Sequence, residues 1–558
     1  MNLRPTGRSL ILAAAFAGLA LPAKAVQEGA RAPAVTPEAG TCLPAEAGAK
    51  DAPLPPPILY EGLGYAGIQP DTADREAKRW FEQGVRLIWA YDEVEAIRAF
   101  AEAQKRDPSC ALCFWGEAWA RGPTLNLQPR TEELGKASAA AKRAASLSAR
   151  LGPRDKALVA AMLVRTGGTK EFESKRYKKA MAKLARRFPE DDAVLVMAAD
   201  AEIILDARAD RLKEGSDAQR RLETVLARNP DHSGAIHLYI HLTDVIDRQG
   251  LAERYADRLG RLAPGASHLV HMPSHTFYGV GRYGDAAAVN LAALAADQAF
   301  AAKARPAPSD YRKGLYAHNS HFAIESALMR GDGPTALKIA DHFAEQYPEA
   351  EGPARMTVIR AAGWYARGLH APVAEVLAIP QPANPLMRAM RLYARGEALA
   401  RKGDAASVRA EAAAMAALRA GPDGRGLGSR PVEALVEVAQ GVLEGRAAML
   451  DGRHAEAAAR FRAAMTAQET AGFGSDPPPF WYPVRRSLAA ALLASGDAAG
   501  ARLQLLASLR EWPRDPLALY ALSKAEAALG RRKEAAAHLD WARRGWAGEV
   551  TAVPLPLI

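Results

Sequence analysis

Residues 79–108 read RWFEQGVRLIWAYDEVEAIRAFAEAQKRDP, and within them Trp80, Gly84, Ala96, Phe100, Ala103 and Pro108 stand at intervals that other segments repeat. Apolar residues three and four apart lay one stripe on each of two helices. Small residues such as Gly84 and Ala96 let those helices approach, Phe100 fills the groove between hairpins, and Pro108 ends the second helix because it has no N–H. The series Ala96, Phe100, Pro108 recurs as Ala218, Leu222, Pro230; as Ala336, Ala340, Pro348; and as Ala501, Leu505, Pro513. Weaker copies surround Ala252 with Pro264, Ala286, Ala457 with Phe461 and Ala464, and Ala535 with Leu539. A single hairpin cannot bury its own apolar face, so units of this kind must stack on one another.

Composition agrees with an all-α chain. Hydrophobic residues make up 49% of 558 residues but aromatics only 7%, and alanine dominates every long segment, which suits close-packed helices over strands. The length exceeds what one compact core supports, which a repeat array does not require.

These spacings resemble the tetratricopeptide repeat (TPR), a helix-turn-helix unit of about 34 residues. The likeness covers most of residues 75–545, with degenerate stretches near 120–190 and 355–430. It implies a TPR-like α-solenoid: a right-handed superhelix in which the first helix of each repeat lines a concave groove. The expected layout is N-terminal repeats over 71–190, central repeats over 191–350, C-terminal repeats over 351–545 and a tail over 546–558. DPSCALCFWGEAWARGP (107–123), with HLVHMPSH (268–275), is also similar to a recurrent pattern in exported bacterial TPR-type proteins, a likeness that implies kinship and no chemistry. Trp115, Glu117 and Trp119 are then expected on a repeat helix beside the preceding hairpin.

Ahead of the repeats, MNLRPTGRSLILAAAFAGLALPAKA places Arg4 and Arg8 before an apolar run and a small-residue site at Ala23 and Ala25. Those are the three parts of a secretory signal, so residues 1–25 are expected to be removed and the protein to be periplasmic or secreted. Residues 26–70 are rich in Pro, Ala and Gly and are expected to form a disordered leader. Within them Gly62, Gly64 and Gly67 spell G-x-G-x-x-G, but no βαβ pattern follows, so a dinucleotide site is not expected. No later segment is apolar for long enough to span a membrane.

The net charge of +10 is spread among acidic residues along the chain, so no nucleic-acid partner is expected. Of three cysteines, Cys42, Cys110 and Cys113, the last two have C-x-x-C spacing without the following histidine of a haem site. A structural disulfide or a pair of buried thiols is the favoured reading, with the pairing left open. No H-E-x-x-H, G-x-S-x-G or Walker A glycine loop is present.

Histidine is where the sequence carries chemistry. Eight of 12 histidines lie between His232 and His321. With Ala252, Ala286 and Ala336 as the small residues of their units, three repeats begin at 233, 267 and 317. His268 and His318 then share repeat position two, His237, His271 and His321 position five, and His241 and His275 position nine. Positions spaced by three and four share one helix face. Seven imidazoles on three adjacent faces suit a transition metal, since neutral imidazole binds Zn, Cu, Fe and Ni. His237, His241, His268, His271, His275, His318 and His321 are thus the expected metal ligands. Copper is favoured, with zinc and iron the alternatives, and six of the histidines would serve two ions.

Glu325 and Asp244 are candidates to bridge ions or orient ring N–H groups, and Tyr239 and Tyr278 are candidates for redox or proton transfer. Pro273 is expected to interrupt the middle helix, either shifting His275 out of the row or kinking it toward the site, and the proline-containing insertion QAFAAKARPAPSDYRKGLY to form a loop, which would serve as a lid if it leans over the groove. Two functions follow: a metal-binding protein, with oxidoreductase chemistry open, that takes a small-molecule substrate; and a metal-free interaction scaffold holding a protein or peptide in the groove. As groove residues, the histidines are expected to contribute little to hairpin packing.

Overall fold

A computed structural model describes residues 55–304, 306, 310–347, 354–425, 427, 429–472 and 477–558. The expected signal, most of the expected leader and Cys42 lie outside these residues. The regular elements among the described residues are helices, and successive helices pack against their chain neighbours. The architecture is an all-α, TPR-like solenoid. None of the described helices is long and apolar enough to cross a membrane.

The opening hairpin shows how the repeats close. Helices α1 (Arg75–Trp89) and α2 (Glu93–Arg106) are capped by Asp74 and Asp92, whose side chains accept from Ala77 N and Glu95 N. A Cβ on Gly84 would stand 2.7 Å from Cζ of Phe100, and one on Gly116, in the next helix, would be closer still. Phe100 is therefore a wedge between two glycine faces. The same small and large positions are buried further along, at Ala218 with Leu222, Ala336 with Ala340, and Ala501 with Leu505. The degenerate stretches are helical too, including Thr131–Leu147, Ser174–Arg187 and Pro385–Arg401. Trp115 and Trp119 lie on the helix Ala111–Ala120, with the Trp119 ring 4.8 Å from that of Trp89. Cys110 and Cys113 are joined by a disulfide.

One expectation changes. Residues 55–70 have no helix, yet Leu63, Ala66 and Ile68 are buried, so this part of the leader is packed. Its glycines take left-handed backbone, and at Gly64, with φ +84°, a Cβ would meet Ser233 Cβ at 2.9 Å. The strap is held by Tyr65 N donating to Ser233 Oγ (2.9 Å), Gly265 N to Gly62 O (2.8 Å) and Trp89 Nε1 to Ala66 O (3.1 Å). The tail is also packed: Val550 and Ile558 are buried, and Ile558 O accepts from Arg446 Nη1 and Ser487 Oγ.

Five helices frame the histidines: α3 (Ser233–Val245), α4 (Ser267–His271), α5 (Pro273–Gly279), α6 (Tyr283–Ala304) and α7 (Asp310–Arg330). The first two units start where the repeat phase places them. The third helix begins at Asp310, seven residues before the expected 317, because α6 and α7 extend into the proline-containing insertion. Of that expected loop, residues 305 and 307–309 lie outside the described residues.

Candidate metal centre

Helix α3 is capped by His232, whose Nδ1 accepts from Ala235 N, and its four-residue spacing sets His237 and His241 on one face. Between α4 and α5, Met272 keeps helical backbone (φ −49°, ψ −37°), and Pro273 takes the first position of α5, where its missing N–H costs little. His275 therefore stays in line with His271.

The structure sorts six of the seven expected ligands into two groups. His237, His241 and His268 form one; His271, His275 and His318 form the other; in each, one nitrogen per ring lies within 4.8 Å of the rest. All are buried except half-buried His318. The groups adjoin, with ring centroids 5.9 Å apart for His268 and His271 and 6.0 Å for His241 and His275.

Hydrogen bonds at the outer nitrogens fix which atoms face inward. Asn290 Nδ2 donates to Ala286 O (2.7 Å), which turns Asn290 Oδ1 toward His271 Nδ1 at 2.6 Å. That oxygen can only accept, so the His271 proton is on Nδ1. His275 Nδ1 lies 3.3 Å from Asp244 Oδ2 and donates to it in the same way. The His271 Nε2 is thereby bare, and it faces His275 Nε2 at 3.0 Å. In the first group His237 Nδ1 donates to Trp89 O at 2.6 Å, leaving its Nε2 bare 3.1 Å from His268 Nε2. His241 Nε2 and His268 Nδ1 are buried without a hydrogen-bond partner.

Burial, the largest influence, and then the neighbouring imidazoles keep His237, His241 and His268 far below the ordinary histidine range and bring His271 to about 3. These four rings are held neutral, the form that ligates metals. Two nitrogens on one tetrahedral ion, each about 2.0–2.1 Å from it, stand about 3.3 Å apart. The observed pairs, at 3.0 and 3.1 Å, need only a small separation to reach that spacing.

The remaining expected site residues are dispersed. His321 joins neither group: its Nε2 is 3.0 Å from Glu325 Oε1. Helix α7 turns His318 and Phe322 inward, four residues apart, which places His321 on the flank and Glu325 beside it. Glu325 is fully buried and raised above the ordinary carboxyl range by that burial. Asp244 does orient a ring N–H, that of His275. Tyr239 lies about 200° around the helix from His237, so its hydroxyl turns away and donates to Glu223 Oε1 at 2.8 Å. Tyr278 packs on Phe322 at 5.9 Å, one residue removed from the second group. The histidines are interior, not groove-lining, since the strap, α1 and α6 cover them.

Several residues of the site were not expected from the sequence. Tyr91, at φ 54° in the α1–α2 turn, packs its ring 4.5 Å from His237, 5.7 Å from His241 and 5.6 Å from His268. Phe322 lies 4.8–5.2 Å from all three rings of the second group. Asn290 had a signal: it follows Ala286 by four, where the repeat pattern calls for an apolar residue.

No protein-family model matches the chain, and no curated protein matches it. Among solved structures, it is similar to a human IFIT1 dimer with m7Gppp-AAAA (14% identity, 86% of this chain and 91% of that one, TM-score 0.29). It is also similar to the P58(IPK) TPR domain (11% identity, 86% and 96%, TM-score 0.24) and to Naa15/Naa10 bound to HypK-THB (11%, 86% and 90%, TM-score 0.22). The comparisons lend no support to the expected absence of a nucleic-acid partner.

Proposed function

We propose that the chain is an exported metalloprotein in which His237, His241 and His268 hold one transition-metal ion and His271, His275 and His318 a second. The observation that carries this reading is the His271–His275 pair. Each ring directs its Nδ1 outward, to Asn290 and to Asp244, and the two Nε2 atoms meet at 3.0 Å in a buried site. With both rings neutral, a cation beside these two nitrogens takes both as ligands. The outer partners Asn290, Asp244 and the Trp89 carbonyl are those that raise the basicity of ligating histidine.

Copper is the favoured ion, because all-imidazole ligation suits it and it leads the divalent affinity series. Three protein ligands per ion leave a coordination position open, which suits catalysis better than a closed structural site. Oxidoreductase chemistry is the class we assign, with Tyr91 and Tyr278 the nearest phenols. The scaffold reading has no feature of the site in its favour, although a metal-bearing solenoid can also hold a partner.

Elemental analysis of untagged protein loaded with copper, zinc or iron tests the proposal. We expect about two equivalents of one metal. His237→Ala,His241→Ala and His271→Ala,His275→Ala should each lose one. Protein that refuses loading while folded would overturn the reading. Export is tested separately by fractionating the host and sequencing the mature N-terminus.

A further inference from the structure

The mixing of charge along the chain breaks at one helix. Ser174–Arg187 holds seven Lys and Arg among its 14 residues and no acidic residue. Its inner side is narrow: Tyr177, Met181, Leu184 and Ala185 are buried. At about 100° per residue these four fall within about 100° of one another, and Lys175, Arg176, Lys179, Lys183, Arg186 and Arg187 fall within about 120° on the opposite side. The structure agrees, because all six are exposed. The seventh cation, Lys178, lies off that arc and pairs with Asp206.

Elsewhere the chain sets an acid three or four residues from an exposed cation and pairs the two, as in Glu76 with Arg79, Glu102 with Lys105, Asp217 with Arg220, and Asp540 with Arg544. In Ser174–Arg187 those positions hold further cations. Lys175 and Lys179, Lys179 and Lys183, and Lys183 and Arg187 are four apart, a spacing at which like charges destabilise a helix. Among the described residues none of the six forms an ion pair. The repulsion is thus not offset within the chain, and solubility alone is served as well by mixed signs. An external array of anions offsets it.

Position selects the kind of anion. Tyr177, Met181 and Pro189 stand at the spacing of Ala96, Phe100 and Pro108, so this is the second helix of its hairpin, on the outer wall and away from the groove. The row runs for about 18 Å along that wall. An outward-facing row meets a plane with all six side chains at once, whereas it gives an extended peptide no walls. Tyr177 is buried and Ala180 and Ala182 flank the arc, so the row offers no ring for unpaired bases to stack on and no amide or hydroxyl to read base edges.

We infer that the outer face of Ser174–Arg187 docks the protein onto a membrane surface rich in anionic phospholipid, with the six cations set among the lipid phosphates. Attachment of this kind is reversible and screened by salt. It goes beyond the metal reading and does not depend on it.

The test is co-sedimentation of the full chain, in chelator, with vesicles of phosphatidylcholine alone or with about one-third phosphatidylglycerol, at low and high salt. The wild type should bind the phosphatidylglycerol vesicles at low salt, leave them at high salt and ignore phosphatidylcholine. Each cation near an anionic surface contributes about fivefold, so Lys179→Gln,Lys183→Gln,Arg186→Gln should weaken partitioning about 100-fold, with unchanged helicity checking the fold. Arg79→Gln,Arg220→Gln,Arg544→Gln removes as much charge from equally exposed but paired positions and should stay within about fivefold of the wild type. No binding to phosphatidylglycerol vesicles, equal binding to both vesicle types, or equal loss in the two variants would each overturn the proposal. So would capture of a DNA duplex or of polyglutamate in preference to the vesicles. Metal loading has no bearing on these results, so the two readings fail separately.

Discussion

Replacing Asn290 with leucine tests whether the second histidine group is organised to ligate. Asn290 is fully buried, accepts from His271 Nδ1 at 2.6 Å and donates to Ala286 O at 2.7 Å. Leucine keeps the volume and removes both bonds. Two effects follow, and they have different readouts. In the metal-free protein, the His271 N–H keeps only Ser274 Oγ at 3.3 Å as an acceptor, so the loss is at most that of an unpaired buried donor, about 1–3 kcal/mol, partly offset by the apolar side chain that replaces the amide. That loss appears in chemical denaturation. In the metal-bound protein, losing the partner that fixes the tautomer and orientation of a ligating imidazole weakens affinity by about 10–100-fold, which is about 1.4–2.7 kcal/mol.

The two groups use different outer partners, so only the second site should weaken. A competitive chelator titration that resolves two classes of ion reads this directly. Asn290→Asp, whose carboxylate can still accept from Nδ1, should recover most of the affinity. If Asn290→Leu lowers metal-free stability while both metal affinities stay as they were, Asn290 is a packing residue and the tautomer argument is wrong. If both sites weaken equally, the groups are one unit and the assignment of three histidines per ion fails.

Gly84→Ala should destabilise by about 1–3 kcal/mol, because its Cβ would meet Cζ of Phe100 at 2.7 Å and Gly116 closes the ring's other side. Helix propensity alone gives the opposite sign, a gain of about 1 kcal/mol, so the sign of the change in a urea melt decides. Arg446→Met removes the partner of Glu397, at 3.3 Å with both side chains 1% exposed, and should cost about 3–5 kcal/mol by denaturation. Adding Glu397→Gln should return much of that. Burial raises Glu93 to about 8 and Asp200 to about 7, so the folded protein holds protons that the unfolded chain releases. Their contribution to stability is full below about pH 4 and is lost as pH rises through about 7–8. Denaturation across that window should show the decline, and Glu93→Gln,Asp200→Asn should flatten it.

The fold was legible because each repeat states the same packing problem in the same residues. Ala218 with Leu222 and Ala501 with Leu505 are buried as Ala96 and Phe100 are, and such agreement survives local noise. The histidine face of α3, α4 and α5 was legible for the related reason that three-and-four spacing leaves a helix no choice of side. Legibility stopped at α7. Its phase depended on an insertion that both flanking helices absorb as extra turns, and the structure brings His318 beside His271 and His275 while His321 pairs with Glu325. Tyr91 and Phe322 were hidden because an aromatic residue beside a repeat motif reads as ordinary core until a fold shows what it touches. The strap over residues 55–70 was hidden because composition predicts poor helix formation and says nothing of docking onto a site.

What the solenoid offers such a site is a place to bury it. His241 Nε2 and His268 Nδ1, buried without a hydrogen-bond partner, are a local liability, since an unsatisfied buried polar group costs about 1–3 kcal/mol. In a repeat array, stability is a sum over neighbouring interfaces, so hairpins on either side can hold a frustrated centre in place. A ligand that binds only the folded chain then returns stability by mass action, about 2.7 kcal/mol at a free concentration 100 times its Kd. Loading with the favoured metal should therefore raise the melting temperature. It should also slow amide exchange first in residues 233–245, 267–279 and 310–330, with little change in the hairpins beyond 385. Uniform protection along the chain would mean that the ion binds elsewhere or non-specifically. Protection confined to 233–245 and 267–271, with none over 310–330, would mean that only the first histidine group takes an ion and that His318 is a bystander.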